Sequence, residues 1–291
     1  MRWTPGGSSN DVEDRRGSSG GFGGFGIGGR SIGCGGAIIL LVLSLLFHKN
    51  FFALLGTGDG QTASGPAVSR PVQETPEEHK EAEFVTFVLN DTQSTWETIL
   101  SQQGNASYRH VKLVLFRDVT ESSCGYAQAV SGPFYCPEDE KVYIDLAFYD
   151  ELRQRFGASG EFAQAYVIAH EIGHHVQKIL GIEGKAHSAM ENDARHAKQY
   201  SVRLELQADC FAGVWAHSTQ QRNLLQAGDV EDGLSAAAAV GDDRLQRMAG
   251  KSVNPDSFTH GSSAQRSEWF KRGFNAGQIA DCDTFVAGTV R

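Results

Sequence analysis

The run Ala169-His170-Glu171-Ile172-Gly173-His174-His175 constrains this 291-residue chain more than any other stretch. It holds H-E-x-x-H at His170, Glu171 and His174. On a helix, residues i and i+4 share a face, so the two imidazoles can hold one Zn²⁺ without bending the backbone. Glu171 follows the first of them and reaches the edge of the same site, where it can polarise a water instead of binding metal. The flanks support a helix. Phe162, Ala163, Tyr166, Val167, His170, His174 and Ile179 largely trace one side, and Gly181 supplies a stop. The competing reading is a pair of ordinary surface or core histidines, in a chain that has ten. A third ligand decides between the two.

Open zinc sites use three protein ligands and leave one position free. Glu205-Leu206-Gln207-Ala208-Asp209 lies downstream in a segment with helical spacing, so Glu205 and Asp209 again share a face. Glu205 can ligate the metal, and Asp209 can accept the second ring N–H of a ligating histidine. A solvated acidic face would also give this pattern. Yet Leu204, Leu206, Ala208, Cys210, Phe211, Ala212 and Val214 surround the two carboxylates. Acids among such neighbours are usually bound or paired. His170, His174 and Glu205 are therefore the expected metal ligands for one Zn²⁺, with Asp209 behind them.

The two motifs resemble the gluzincin arrangement of metallopeptidases. The chain as a whole resembles a bacterial family described as putative neutral zinc metallopeptidases. The likeness runs nearly full length and is carried by Asn10–Gly17, by Gly-Pro-Phe-Tyr-Cys-Pro at 132–137, by Val142–Leu146, by His170–His175 and by Glu205–Trp215. It implies a single membrane span, a zincin-like domain and hydrolysis of peptide bonds in a peptide or protein substrate. In that chemistry a zinc-activated water attacks, Glu171 acts as base and then as acid to the leaving amine, and a further donor steadies the oxyanion. His260, in Thr259-His260-Gly261, is the candidate donor; the plainer reading is a loop histidine beside a helix start. His175 points away from the ligand face and is expected to pack, and His187 and His196 are expected in solvent. The strand Lys141–Leu146 could offer an edge to an extended substrate, or could be an ordinary core strand.

The rest of the chain divides by composition. Thirteen of the 34 glycines fall in the first 36 residues, so residues 1–30 are expected to be a disordered tail. Ser31–Phe47 carries no charge and Ala37–Phe47 is nearly all apolar, so residues 31–55 are expected to form one transmembrane helix. Arg15, Arg16 and Arg30 before it outnumber Lys49 and Arg70 after it. That bias places the N-terminus in the cytoplasm and the domain in the periplasm or another extracytoplasmic space. Residues 56–82 read as a flexible linker and residues 83–291 as the domain. Its strands precede its helices, which is an α+β order: a small sheet, then a mainly helical part. Expected helices are Phe84–Leu100 (broken near Asn90-Asp91), Glu151–Phe156, Glu161–Leu180, Ala189–Ser218, Gly228–Ala249 and Ala264–Ala276; expected strands are Val111–Phe116 and Lys141–Leu146. A net charge of −9 argues against nucleic acid as a partner.

Cys124, Cys136, Cys210 and Cys282 form an even set in a domain expected to face outward, which suggests two disulfides. Three pairings are open, and Cys210 as a zinc ligand is a weaker alternative because it turns off the Glu205 face. The rivals are another, non-peptidase metal-dependent hydrolase on the same fold and a catalytically silent, membrane-tethered zinc-binding protein. Such a structural site would be closed by four protein ligands, whereas three ligands beside Glu171 favour an open one.

Overall fold

A computed structural model of the chain describes residues 1–17, 72–103, 106–128, 132–154 and 160–286. Met1–Gly17 and the chain from Pro71 onward form one compact unit. The expected span at residues 31–55 and most of the 56–82 linker lie outside the described residues. Among the described residues, no helix is long and apolar enough to cross a membrane.

The architecture is α+β, with a small sheet followed by a mostly helical part. The main sheet has the order β1-β2-β6-β5. Strands β1 (Val12–Asp14), β2 (Lys112–Phe116) and β6 (Lys141–Asp145) run parallel, and β5 (Phe134–Cys136) closes the far edge antiparallel to β6. Strands β3 (Val119–Ser122) and β4 (Gly125–Gln128) make a separate hairpin. Alternation along each strand gives the sheet two apolar faces. Leu113, Leu115, Val142 and Ile144 join the main core, while Val114, Phe116, Tyr143 and Cys136 build a smaller cluster with Phe134.

The first 17 residues correct the expectation of a disordered tail over residues 1–30. Strand β1 pairs with β2, from Val12 opposite Leu113 to Asp14 opposite Leu115. Trp3 packs edge-on against Phe84 at 5.2 Å, and Met1 is buried. Most of the charged residues that make this stretch look unfolded are paired: Glu13 takes Lys141 at 2.8 Å, Asp11 takes Lys112 at 2.8 Å, and Arg16 takes Asp14 and Glu74. The domain also begins earlier than residue 83.

Helix α1 (Pro76–Gln103) runs unbroken through the predicted break at Asn90-Asp91. Asp91 reaches across to the later helix Ala197–Gln221 and its C-cap, accepting Trp215 Nε1–H at 2.8 Å and a guanidinium N–H of Arg222 at 2.9 Å. A polar residue there joins two helices and does not end one. Helix α2 spans Ala147–Gln154 and α3 spans Glu161–Ile179. The predicted helix over 189–218 is two, α4 (Ile182–Asn192) and α5 (Ala197–Gln221), separated by a turn in which Asp193 accepts His196 Nδ1. The predicted 228–249 helix is likewise α6 (Asp229–Ala239) and α7 (Asp242–Met248). Helix α8 (Ser263–Ala276) starts on a capping box between Ser262 and Gln265.

Helix α3 lies in the core with Phe162, Ala163, Tyr166 and Ile172 fully enclosed. Phe162 stacks on Trp215 of α5 at 5.6 Å, and Tyr166 meets Phe270 of α8 edge-on at 5.5 Å. Helices α5 and α8 touch backbone to backbone. A Cβ on Gly213 would stand 2.1 Å from the Phe270 carbonyl oxygen, and one on Gly273 would stand 1.9 Å from that of Cys210. Only glycine permits that approach. Strand β6 is interior, flanked by β2 and β5, so the free edge nearest α3 belongs to β5 and not to Lys141–Leu146.

The disulfides are Cys124–Cys136 and Cys210–Cys282. The first ties the β3–β4 turn to β5, and the second ties the C-terminal segment to α5. Cys210 is therefore not available as a metal ligand.

Candidate metal centre

Helices α3 and α5 cross so that His170, His174 and Glu205 converge. One ligand atom from each lies within 4.8 Å of the others. Glu205 Oε2 is 3.2 Å from His170 Nε2, and its Oε1 is 3.6 Å from His174 Nε2. Gly173, between the two histidines, allows the approach: a Cβ there would sit 3.1 Å from the Ala208 carbonyl oxygen. His170 is buried, whereas His174 and Glu205 are partly exposed, so the cluster opens on one side.

Each imidazole is held by its other nitrogen. His170 Nδ1 donates to Asp209 Oδ1 at 2.9 Å, and His174 Nδ1 donates to Gln177 Oε1 at 2.9 Å. Both Nε2 atoms face the cluster, the tautomer a metal-binding histidine needs, with Arg266 Nη2 also 3.3 Å from that of His170. Gln177 is itself fixed, donating to the Leu204 carbonyl at 2.7 Å and to Gln207 Oε1 at 3.0 Å. Gln207 in turn donates to the Cys282 carbonyl at 3.0 Å, so the disulfide-bound C-terminal segment backs the second histidine.

Asp209 is fully buried and takes four donors. Besides His170 they are Tyr166 Oη–H, Arg266 Nε–H at 2.8 Å and Arg266 Nη2–H at 2.9 Å. The Arg266 fork is bidentate, the geometry that best satisfies a buried carboxylate. Its Nη2 also lies 3.7 Å from Glu205. Burial pushes Asp209 up, but the charges of Arg266 and His170 outweigh it and hold the carboxyl below its usual range. Glu205 is held low in the same way, against burial, by its contact with His170 and the charge of His174. Burial alone would lower His170; with no metal, the Asp209 and Glu205 carboxylates overcome it and lift the imidazole to about 9. Burial keeps His174 below its ordinary value.

Glu171 is buried and binds no partner in the ligand cluster. Burial raises its carboxyl to about 7, partly offset by the charge of His170 and by a hydrogen bond from the Tyr135 backbone of β5. The sheet edge thus lies beside the candidate base.

His260 sits in the loop between the short turn Pro255–Ser257 and α8, with about half of its side chain exposed. Asp242, at the start of α7, organises that loop. It accepts the backbone N–H of Thr259 and of His260, each at 2.7 Å, and faces His260 Nδ1 at 3.2 Å. The hydrogen bond to Asp242 raises the imidazole's pKa against burial, and the negative charge of Glu205 adds to it. His175 is enclosed, as expected: Nε2 donates to the Arg109 carbonyl at 2.7 Å, and Tyr135 Oη–H donates to Nδ1 at 3.0 Å. His187 and His196 are exposed.

Sequence reasoning missed Arg266, Gln177 and Asp242. A signal for Arg266 existed: it falls on the Trp269, Phe270 and Gly273 stripe of α8, and an arginine on a buried stripe needs a buried acid. Gln177 stands one turn beyond His174 on the same helix face.

The donor set of two imidazole nitrogens and one carboxylate, each ring already held from behind, suits a borderline divalent ion such as zinc. The comparisons with known proteins agree. The model of the family described as "Putative neutral zinc metallopeptidase" matches residues 1–285, and the chain belongs to that family. It is 48% identical to the uncharacterized protein YpfJ of Escherichia coli (strain K12) over 286 residues, which cover 98% of this chain and 99% of that one. It is 42% identical to the uncharacterized protein Rv2575 of Mycobacterium tuberculosis (strain ATCC 25618 / H37Rv) over 209 residues, 68% of each chain. No solved structure matches.

Proposed function

We propose that this member of the neutral zinc metallopeptidase family hydrolyses peptide bonds, with His170, His174 and Glu205 as the ligands of one zinc ion. The convergence of those three side chains around an open side, with buried Glu171 alongside, carries the reading. When bound, zinc would supply a Lewis acid that polarises a substrate carbonyl and makes water easier to deprotonate. The protein's own groups account for the rest. Glu171 takes the proton from the attacking water, and its raised pKa suits it to return that proton to the leaving amine near neutral pH. His260, whose imidazole pKa the hydrogen bond to Asp242 raises, is the donor to the developing oxyanion. Asp209 and Gln177 hold the two ligand rings in register. The free edge of β5 offers backbone groups to an extended peptide at the point where Tyr135 already meets Glu171.

Two disulfides support an oxidising compartment, outside the cytoplasm. The apolar run Ala37–Phe47 is a reason to place the protein at a membrane. The rival reading is a silent zinc-binding protein, which needs no general base. Zinc stoichiometry and peptide hydrolysis, measured together on the wild type and Glu171→Gln, separate the two. One zinc in both, with hydrolysis reduced at least about 10²-fold in the variant, is the expected result. One zinc in both and no hydrolysis by either would favour the silent protein, and no zinc in either would end the metal reading.

A further inference from the structure

The two ends of the chain between residues 17 and 72 meet at one point. Arg16, only 7% exposed, reaches Glu74 at 2.9 Å and Glu78 at 3.4 Å while holding Asp14. Arg117, just past β2, donates to the Gln73 carbonyl at 2.8 Å and also holds Glu78. Above this stem the N-terminal segment touches several parts of the domain. Strand β1 pairs with β2, and Glu13 pairs with Lys141 of β6. Asp11 holds Lys112 at 2.8 Å and accepts from Gln93 of α1 at 3.2 Å, and Trp3 packs on Phe84 and Phe87.

A single crossing between these ends would put the hydrocarbon core, about 30 Å thick, between Arg16 and Glu74. Their ion pair spans 2.9 Å. Both cannot hold. Two crossings would need roughly 40 apolar residues. The uncharged run Ser31–Phe47 supplies 17, and the stretch from there to residue 70 carries Lys49, Asp59 and Arg70. The charge bias that suggested an orientation also weakens. Arg15 pairs with Glu13 at 2.8 Å and Arg16 is buried among three carboxylates, so both belong to the folded domain and not to a membrane flank.

We infer that residues 1–17 and the metal-binding domain, which pair strand to strand and meet at the Arg16–Glu74 contact, lie on the same side of any membrane. This replaces the expected arrangement, with the N-terminus in the cytoplasm and the domain outside. It does not depend on the zinc reading: a domain that binds no metal and cleaves nothing would have the same topology.

The test uses the full chain in bacterial spheroplasts, with Cys34→Ser removing the cysteine outside the two disulfides. Two variants add a single cysteine at exposed positions, Ser8→Cys in the N-terminal segment and Glu191→Cys at the end of α4. A membrane-impermeant maleimide is applied before lysis, and after lysis in denaturant as the reference. The two positions should show the same labelled fraction before lysis, both high or both low. One position labelled in intact spheroplasts with the other labelled only after lysis would overturn the inference. Both substitutions lie on the surface, so the readout does not hinge on a variant that fails to fold.

Discussion

The Asp209–Arg266 pair sets up a sharp test of how the metal centre is held. Asp209 is fully buried and Arg266 is 3% exposed, and two parallel N–H···O bonds join them. Replacing Asp209 with Ala leaves an enclosed guanidinium with neutral acceptors at the Tyr166 hydroxyl (3.3 Å) and the Val240 carbonyl (3.4 Å), and with Glu205 as its nearby carboxylate at 3.7 Å. Breaking a buried pair from one side costs about 3–5 kcal/mol. Replacing Arg266 with Met is milder, because Asp209 keeps Tyr166 and His170 as donors. Losing its charged hydrogen bonds should cost about 1.5–3 kcal/mol. The double variant leaves neither charge stranded, so it should be more stable than the sum of the single losses by about 1–3 kcal/mol. The assay is urea unfolding of the chelator-treated protein, since bound metal would add its own stabilisation. Single losses that add to within about 0.5 kcal/mol would refute the argument, because residues in contact through a buried ion pair must couple.

The same geometry carries further expected outcomes. Gln177→Ala frees His174 Nδ1 and should weaken zinc binding about 10–100-fold in a chelator competition while the domain stays folded; unchanged affinity would remove Gln177 from that role. The raised pKa of His260 means that its pairing with Asp242 stabilises the fold fully below the imidazole's ordinary value, and that this contribution is lost as pH rises through the folded-state pKa. Asp242, held low, contributes above its own ordinary value and loses that contribution in acid. An NMR titration of His260 should therefore give a midpoint above 6.5 that drops in Asp242→Asn; equal midpoints would deny the pairing. Deleting residues 1–17 should lower stability by at least roughly 1.5–3 kcal/mol, the burial free energy lost with one buried side chain the size of Met1. An unchanged denaturation midpoint would mean that β1 is dispensable.

The sequence made some of this legible and hid the rest for physical reasons. The cluster of candidate ligands was readable because i, i+4 spacing is a local property, and both His170/His174 and Glu205/Asp209 obey it. The long helices were readable from their apolar stripes. Strand β1 was not, because Val12-Glu13-Asp14 looks like linker until Lys141, 128 residues away, neutralises Glu13. The α4–α5 boundary was blurred by a short polar turn without proline. Asp91 looked like a helix break because its partners, Trp215 and Arg222, belong to another helix. His260 could be named, but Asp242, which accepts its backbone N–H and faces its ring, shares no local pattern with it.

The glycine contact between α5 and α8 gives the metal centre an unexpected vulnerability. Gly213 lies one turn beyond Asp209 on α5, and Gly273 lies two turns beyond Arg266 on α8. With carbonyl oxygens about to fill the space of any added Cβ, no flexible side chain at this crossing can absorb a shift. Helices α5 and α8 must then move as one lever. A single methyl group at Gly213 or Gly273 would push against backbone of the two helices that carry Asp209 and Arg266, so it is expected to strain the pair that holds the His170 ring. Damage to the chemistry could thus arrive through the scaffold, from positions that touch neither metal nor substrate.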